Sequence, residues 1–474
     1  MTRTHWFARF LQRLAQVAGI TIALGAVGYP LLHWRFVGTV HPLLGYLAVI
    51  LGFAAGMVVL AGRSSTKRLM DWLAQMPRLH YLIFLLIGCF VLHFAVLRII
   101  QSLPGEEAPE VYGTWVFFEA SAMYPPGDKL VMQAVHFLLG HSHLAVILYV
   151  TGMVTFAVWM AYRLGTMAFG EGVGRAAGLA LALFPSWLLY GNLEYDLLLG
   201  TLLLLLVYLF FRKSPQDHSY GYLVFYGLVL GFTCLVKPIA LIFPLPMFII
   251  YLGSKVRFLE AVKRTALIAA FMMVAIAPWT VRNYVVMNRF VLLSTNFGVV
   301  LHTANNPEAD GREMMMKPLP GEKDEVEMNK RHIREAVTWI AGHPLRFLKL
   351  VAYRIGWTWG TDSSFVSCKL YDKVPDWLLN AIRGIVQIVY LALVAVVVVG
   401  LLAYKEEVLG SVLGLVLMAP VLYIWALHLV CQAHGQHHLP AIPFMIILGG
   451  AALGRYGGFL SGQVRTAMPP DERA

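Results

Sequence analysis

The sequence predicts an all-α protein that crosses a membrane many times, and three observations support this fold class. Of the 474 residues, 59% are hydrophobic and only 13% are charged, which is about half of the charge that a soluble protein carries. Several apolar runs approach the roughly 20 residues that cross a bilayer core. These runs are continuous rather than alternating, and they therefore predict helices and not the strands of a barrel.

Twelve apolar runs predict the membrane helices. They lie at 14–33, 41–62, 80–100, 144–162, 175–191, 194–211, 220–237, 240–254, 265–284, 376–404, 407–430 and 440–457. The N-terminal run has no small-residue cleavage site after it, so we interpret it as a retained first helix and not as a removed signal peptide.

Basic residues in the short connections predict the orientation of these helices. Such groups occur at 63–78, at Arg212 and Lys213, and at 255–264. With the N-terminus in the cytoplasm, all three groups and the C-terminal tail fall on the cytoplasmic side, as the positive-inside rule requires. These groups also explain the net charge of +11 through contacts with anionic lipid headgroups, without a nucleic-acid partner.

Two long connections, 101–143 and 285–375, then face the outside. The second is basic, but long translocated segments are exempt from the orientation rule. Its charged part around 321–344 has a helical period, with Val326, Ile333, Val337 and Ile340 as the expected apolar stripe. Four scattered cysteines without CxxC spacing predict no disulfide framework.

Acidic and aromatic residues crowd the first outer loop. Glu106, Glu107 and Glu110 come directly after a helix end, and Tyr112 and Tyr124 follow them. Carboxylates at the mouth of a membrane protein can act as a general base or bind a divalent metal ion. The alternative is a solvated acidic loop without chemistry.

Two ionisable residues stand at the ends of apolar helices. Glu194 and Asp196 open a leucine-rich helix, where a carboxylate either faces a cavity or serves as a first-turn acid favoured by the helix dipole. Lys237 precedes Pro238, which implies an interrupted backbone. Its ammonium is suited to a lipid phosphate, and the alternative is simple snorkelling toward headgroups.

Three histidines, His434, His437 and His438, cluster at another outer helix end. Imidazoles there are candidates for binding metal or phosphate. No cysteine or acid follows at ligand spacing, so the pattern supports a zinc site only weakly.

The unusual polar groups all fall on the outer side of the predicted membrane, and this position constrains the function. The sequence has no Walker-type loop and no dinucleotide fingerprint. Nucleotides are cytoplasmic, so an enzyme that works outside needs an activated donor that is itself membrane-borne. A polyprenyl-phosphate sugar meets that need.

Five segments carry a resemblance to a known family over roughly residues 80–457. They are "YPPGDKLVMQAV", "LEYDLLLGTLLLLL", "GLVLGFTCLVKPIALIFPLP", "APWTVRNYVVMNRFVLLSTNFGVVLHTANNPEADG" and "HHLPAIPFMIILGGAALG". The chain resembles the glycosyltransferase-C (GT-C) superfamily, specifically the bacterial relatives of protein O-mannosyltransferases and of the lipid A aminoarabinose transferase.

The resemblance implies a bacterial inner-membrane enzyme with its active site facing the periplasm. Such an enzyme transfers a sugar, with inversion, from a polyprenyl-monophosphate carrier to a glycan, lipid or protein acceptor. The implied organisation is extra N-terminal helices at 1–79, a GT-C transmembrane core at 80–284, a periplasmic cap at 285–375, C-terminal helices at 376–457 and a cytoplasmic tail at 458–474.

The resemblance also implies roles for single residues. Family members carry an essential Asp in the first outer loop, where this sequence offers Glu110, with Glu106 and Glu107 as alternatives. Asp196 matches a second family acid that helps bind a divalent cation such as Mg, Mn or Ca, and Lys237 matches a basic site. The donor phosphate and substrate would further contact Arg282, Asn283, Asn305, Asn306, His437, His438, Tyr112, Tyr124 and Glu194.

Three other functions compete with this interpretation. A lipid-linked polysaccharide ligase or polymerase would use a whole glycan on a diphosphate carrier. A secondary transporter fits the helix count, but transporters usually show repeated halves and polar breaks at the midplane. A catalytically inactive scaffold would account for the missing Asp.

Overall fold

Helices form the regular structure of this chain. The computed structural model describes residues 9, 12–26, 75–103, 121–189, 194–312, 324–363, 366, 370, 373–403 and 405–456. Within these ranges no strand forms, and the extended pairing consists of an isolated bridge between Arg312 and Ala433. The all-α prediction is confirmed.

We number the α-helices of the described residues in chain order. They are α1 (residues 12–26), α2 (Arg78–Ser102), α3 (Gly127–Leu139), α4 (His143–Phe169), α5 (Glu171–Ala182), α6 (Pro185–Leu189), α7 (Glu194–Phe211), α8 (Tyr220–Val236), α9 (Pro244–Gly253), α10 (Phe258–Met287), α11 (Phe297–Ala304), α12 (Glu325–Gly342), α13 (Pro344–Trp359), α14 (Asp376–Ala403), α15 (Lys405–Leu409), α16 (Val412–Leu427) and α17 (Ile442–Tyr456). Short 3-10 helices occur at Pro215–Asp217, Pro238–Ile242 and Gly435–Ala441.

Four of these helices are long and apolar enough to cross a membrane: α2, α4, α10 and α14. Shorter apolar helices lie at Tyr195–Phe211, Tyr220–Val236, Pro238–Gly253 and Val412–Leu427. The chain is therefore a membrane protein with several spans. The total of twelve stays a prediction, because the expected helix 41–62 lies outside the described residues.

Proline and serine explain where the predicted runs are broken. The run 175–191 becomes α5 and α6, and Pro185 opens α6, a helix position that proline favours. The run 407–430 becomes α15 and α16, because the Ser411 hydroxyl accepts a hydrogen bond from the Gly414 amide and caps a new helix. By contrast, α7 begins and ends where the sequence predicts.

Close helix contact at α8 positions the polar site described below. A Cβ on Gly227 would lie 2.6 Å from the Ile268 carbonyl oxygen of α10, and one on Gly231 would lie 2.5 Å from that of Met272. A small-xxx-small spacing of this kind lets two membrane helices approach at their backbones. The C-terminal half of α8 is thereby held against α10.

The N-terminal helix α1 packs against the C-terminal helices. The Gln16 amide donates to the Leu401 carbonyl at 3.2 Å, and the Trp425 indole donates to the Thr21 hydroxyl at 2.9 Å. One of the two helices that stand outside the family resemblance therefore has its partner within the chain.

The helix expected around 321–344 forms as α12, but its buried face differs from the expected stripe. Val326 is buried as predicted, whereas Val337 is 53% exposed and Ile333 is only half-buried. The buried positions further along are His332, Ala336 and Trp339. Helix α12 packs against α11, and the ring centres of His332 and His302 lie 4.6 Å apart. The buried face of α12 therefore includes a histidine, which hydropathy does not predict.

Candidate functional site

A carboxylate from one helix and an ammonium group from another form an ion pair. Asp196 lies in the first turn of α7 and is fully buried, and Lys237 caps the C-terminus of α8. The Lys237 ammonium donates to the Asp196 carboxylate at 2.5 Å, and the lysine side chain remains 24% exposed. The backbone of Lys237 is extended because the following proline disfavours a helical conformation. The structure thus joins two residues that the sequence marked separately.

An aromatic ring and a 3-10 helix complete the surroundings of this pair. The Lys237 nitrogen lies 4.8 Å from the centre of the Tyr195 ring, a cation–π contact that holds the ammonium in place. The Gln436 amide donates to the Tyr195 hydroxyl at 3.2 Å. The "HGQHH" segment is therefore brought to the N-terminal end of α7 and the C-terminal end of α8. Neither Tyr195 nor Gln436 carried a distinguishing pattern in the sequence.

The start of α3 also reaches this point. A Cβ on Gly127 would lie 2.5 Å from the Val236 amide nitrogen, so only glycine allows this approach to the end of α8. The next residue, Asp128, is half-buried. Burial raises the pKa of its carboxyl, while the positive charges of Lys129 and Lys237 oppose that rise. Asp128 is a site acid that the sequence interpretation missed, although the "YPPGDK" motif contains it.

Of the three predicted histidines, His434 and His437 lie near each other, and His438 has separate contacts. His437 stacks on His428 at 4.6 Å and lies 6.2 Å from His434, measured between ring centres. Burial, together with His428 and Lys237, lowers the pKa of His437 well below its ordinary value. At neutral pH His437 is therefore uncharged and does not add a second cation near Lys237.

His438 lies in the core and not at the Asp196–Lys237 pair. It is fully buried, and its two ring nitrogens lie 2.6 Å from the Thr358 carbonyl oxygen and 3.0 Å from the Asp362 carboxylate. Its ring also stacks on Tyr390 at 4.6 Å. These contacts hold the 3-10 helix Gly435–Ala441 against α13 and α14.

The "PWTVRN" motif binds the chain that follows it. Trp279 donates to the Leu293 carbonyl at 2.6 Å, Thr280 to the carbonyl of residue 292 at 2.8 Å, and Asn283 to that of residue 291 at 3.0 Å. Asn288 adopts a left-handed backbone, with φ of 51°, where α10 ends. Asn283 therefore stabilises the reversal after α10.

Arg282, expected at the donor phosphate, contacts the end of the first outer loop. It is 7% exposed, and its guanidinium lies 4.5 Å from the centre of the Trp279 ring. It donates to the Ser121 carbonyl at 3.1 Å and to the Asn283 side chain at 3.0 Å.

The two adjacent asparagines join the predicted outer segment 285–375, which we call the outer module, to residues 429–430 after α16. Buried Asn305 accepts from Arg354 at 2.7 Å and donates to the Val430 carbonyl at 2.9 Å. Arg354, which the sequence did not mark, also donates to the Leu429 carbonyl at 2.8 Å, and burial lowers its pKa to about 10. Asn306 accepts from the Glu308 amide at 2.8 Å. Asn305 and Arg354 thereby hold residues 429–430, which lead to His434.

The remaining predicted site residues are placed only in part. Glu106, Glu107, Glu110 and Tyr112 lie outside the described residues, and so does the side chain of Glu194. Tyr124 is 65% exposed, three residues before Gly127. In the part of the chain that the structure describes, no group of three or more His, Cys, Asp or Glu side chains has a metal-binding arrangement.

A protein-family model matches the middle of the chain. Residues 124–281, a third of the chain, match the family model of dolichyl-phosphate-mannose-protein mannosyltransferases. This match confirms the resemblance drawn from the sequence, and it spans Asp128, Asp196 and Lys237. Together with the apolar spans, it defines a membrane protein whose central region is similar to that of a glycosyltransferase.

Comparisons with solved structures and with curated sequences give less information on function. Among solved structures, the crystal structure of ArnT from Cupriavidus metallidurans bound to undecaprenyl phosphate is similar, with 14% sequence identity, coverage of 83% of this chain and 82% of that chain, and a TM-score of 0.40. At this identity and TM-score the likeness transfers no residue roles. Among curated protein sequences, none matches the chain.

Proposed function

We propose that the protein is an inverting glycosyltransferase of the bacterial inner membrane, which moves a sugar from a polyprenyl-monophosphate carrier to a periplasmic acceptor. The observation that carries this proposal is the Lys237–Asp196 pair, because both residues lie in the family-matched segment and meet at the ends of apolar helices. In this proposal residues 80–284 form the core, 285–375 the periplasmic cap, and 1–79 an addition whose described helix, α1, packs on the C-terminal helices.

Lys237 is the group that we assign to the donor phosphate. Negative charge grows on the phosphate oxygen as its bond to the anomeric carbon breaks, and a fixed cation lowers the energy of that transition state. Asp196 and Tyr195 hold the ammonium in one place, and the exposed part of the lysine leaves room for a ligand. We therefore propose that Asp196 holds the Lys237 ammonium and does not bind a metal ion.

The acceptor requires a base on the opposite side of the sugar. We assign this role to Glu110, with Glu106 and Glu107 as the alternatives in the same loop. The carboxylate takes the proton of the acceptor hydroxyl, the oxygen attacks the anomeric carbon, and the carrier phosphate leaves from the other face. Inversion follows from this in-line geometry.

The test compares donors and variants in a transfer assay with purified protein. We expect product from a polyprenyl-monophosphate sugar and none from the diphosphate form. Lys237→Ala and Asp196→Asn should each lower kcat/KM by about 100-fold, the usual scale for loss of one preorganised electrostatic group. Lys330→Ala removes an exposed lysine that pairs with Glu327 and is the matched control.

Two outcomes would contradict the proposal. Use of diphosphate donors alone would favour a ligase or polymerase. Equal activity of Lys237→Ala and Lys330→Ala would show that Lys237 takes no part in the reaction. Single changes of Glu106, Glu107 and Glu110 to Gln identify the base, and no loss in any of them contradicts that assignment.

A further inference from the structure

The end of the first outer loop is held from three sides. The Ser121 hydroxyl and the Ala122 amide both donate to the Glu325 carboxylate, each at 2.7 Å. Arg282 donates to the Ser121 carbonyl at 3.1 Å, and the Thr295 amide donates to the Ala122 carbonyl at 2.9 Å. We call residues 121–122 with these partners the loop anchor. It joins the first outer loop to the end of α10 and to the start of α12.

The loop anchor is connected to the Lys237 site by a short, stiff segment. Only four residues separate Ala122 from Gly127, which packs on the end of α8. Two of them, Pro125 and Pro126, have restricted backbone angles. The anchor and Gly127 therefore fix both ends of this segment relative to each other.

The Glu325 carboxylate can bind residues 121–122 because Asp324, and not Glu325, caps α12. The Asp324 side chain accepts from the amides of Val326 at 2.8 Å and Glu327 at 3.2 Å, which completes the N-cap of α12. Both oxygens of the Glu325 carboxylate point instead to a chain segment about 200 residues away in sequence. Hydrogen bonds to an ionised carboxylate are among the stronger ones in proteins.

We propose that Glu325 is a positioning residue for the transfer reaction. By holding residues 121–122, it fixes the described end of the first outer loop relative to Gly127 and the end of α8 that carries Lys237. This inference rests on the proposed function, because it assumes that a carboxylate of that loop is the base. A displacement of about 1 Å in a reacting group is enough to reduce turnover by about 100-fold.

The kinetic test compares three variants. Glu325→Ala removes both contacts and should lower kcat by 10- to 100-fold, while KM for the lipid-linked donor stays within twofold, because Lys237 is untouched. Glu325→Gln keeps an acceptor for the Ala122 amide and should retain kcat within about threefold. Glu327→Ala removes an exposed carboxylate in the same helix turn and is the control. Equal kcat in Glu325→Ala and Glu327→Ala would overturn the inference.

A second measurement does not depend on activity. Hydrogen exchange of the peptide that contains residues 121–125 should be faster in Glu325→Ala than in wild type, since the Ala122 amide loses its acceptor. Unchanged exchange in an active protein overturns this inference alone. A wild-type protein that is inactive with every lipid-linked sugar overturns the proposed function and this inference with it. If Glu325→Ala fails to fold, Ser121→Ala, which removes the hydroxyl that donates to Glu325 and accepts from the Met123 amide, should lower kcat in the same direction by a smaller factor, and an unchanged kcat would overturn the inference.

Discussion

Lys237 shows how one residue combines a structural and a chemical role. An unpaired charge in apolar surroundings costs several kcal/mol, and removal of one partner from a buried pair is strongly destabilising. Asp196 offsets this cost, so the pair is expected in the folded protein even without substrate. The same contact holds the ammonium in the geometry that a phosphate ligand needs. Snorkelling and phosphate binding are thus compatible interpretations of the same lysine.

His437 predicts a pH dependence of stability. Its pKa is lowered in the folded protein by burial and by its neighbours, whereas in the unfolded chain it is near 6.5. The unfolded state therefore binds more protons as the pH falls. The stability that His437 contributes is present above about pH 6.5 and is lost below it, by at most about 1.4 kcal/mol per pH unit.

The measurement is the melting temperature in detergent between pH 7.5 and 5. His437→Gln replaces the imidazole with a group that does not titrate, and it should reduce the fall in melting temperature on acidification. His80→Gln changes an exposed histidine and is the control. An identical fall in wild type and His437→Gln would show that His437 does not titrate as proposed.

At the scale of the element, glycines determine where the site forms. Gly227 and Gly231 let α8 contact α10, and Gly127 lets α3 contact the end of α8. These contacts bring Lys237 and Asp128 to the same end of the bundle. Hydropathy predicted the helices themselves, but it contains no information on which faces meet.

Gly231→Ala tests this packing. A methyl group there meets the backbone of α10 at 2.5 Å, and overpacking of this kind destabilises by about 1–3 kcal/mol. Gly221→Ala, in the same helix, meets no atom within 4 Å and should stabilise by up to about 1 kcal/mol through helix propensity. Thermal unfolding of both variants measures the difference. Equal melting temperatures would exclude the close contact between α8 and α10.

At the scale of the whole molecule, the outer module connects distant parts of the chain. Glu325 binds the first outer loop, while Asn305 and Arg354 bind residues 429–430 ahead of the histidine segment. Residues 121–122 and the segment beside Lys237 therefore both depend on contacts with residues 285–375.

The predicted orientation can be tested by thiol labelling of intact cells. Leu345 is 81% exposed in the outer module and Leu259 is 72% exposed at the opposite end of α10 from Asn288. In a Cys368→Ser background, whose other cysteines are buried, Leu345→Cys should react with a membrane-impermeant reagent. Leu259→Cys should react only after lysis. The reverse pattern would place the site in the cytoplasm and contradict the proposed function.

The limits of sequence-based prediction follow from the same contacts. Helix positions were predictable because apolar runs of membrane length are a local property, and α7 and α8 form where expected. Asp196 and Lys237 were predictable as single residues because a charge in an apolar run is conspicuous. Their contact was not, since it joins the start of one helix to the end of another. Glu325 was missed because charged residues in polar segments are common, and Arg354 because its helix, α13, carries two other basic residues from which the sequence does not distinguish it.

The sequence by itself determined the all-α membrane class, the main helices and the family resemblance, since all three depend on hydropathy and local motifs. Only the tertiary structure decided which polar residues meet. It paired Lys237 with Asp196, placed His438 in the core, and turned Arg282 and Asn283 toward neighbouring backbone. The physical reason is that a polar side chain removed from water takes a partner that the fold brings within about 3 Å, whatever its distance along the chain.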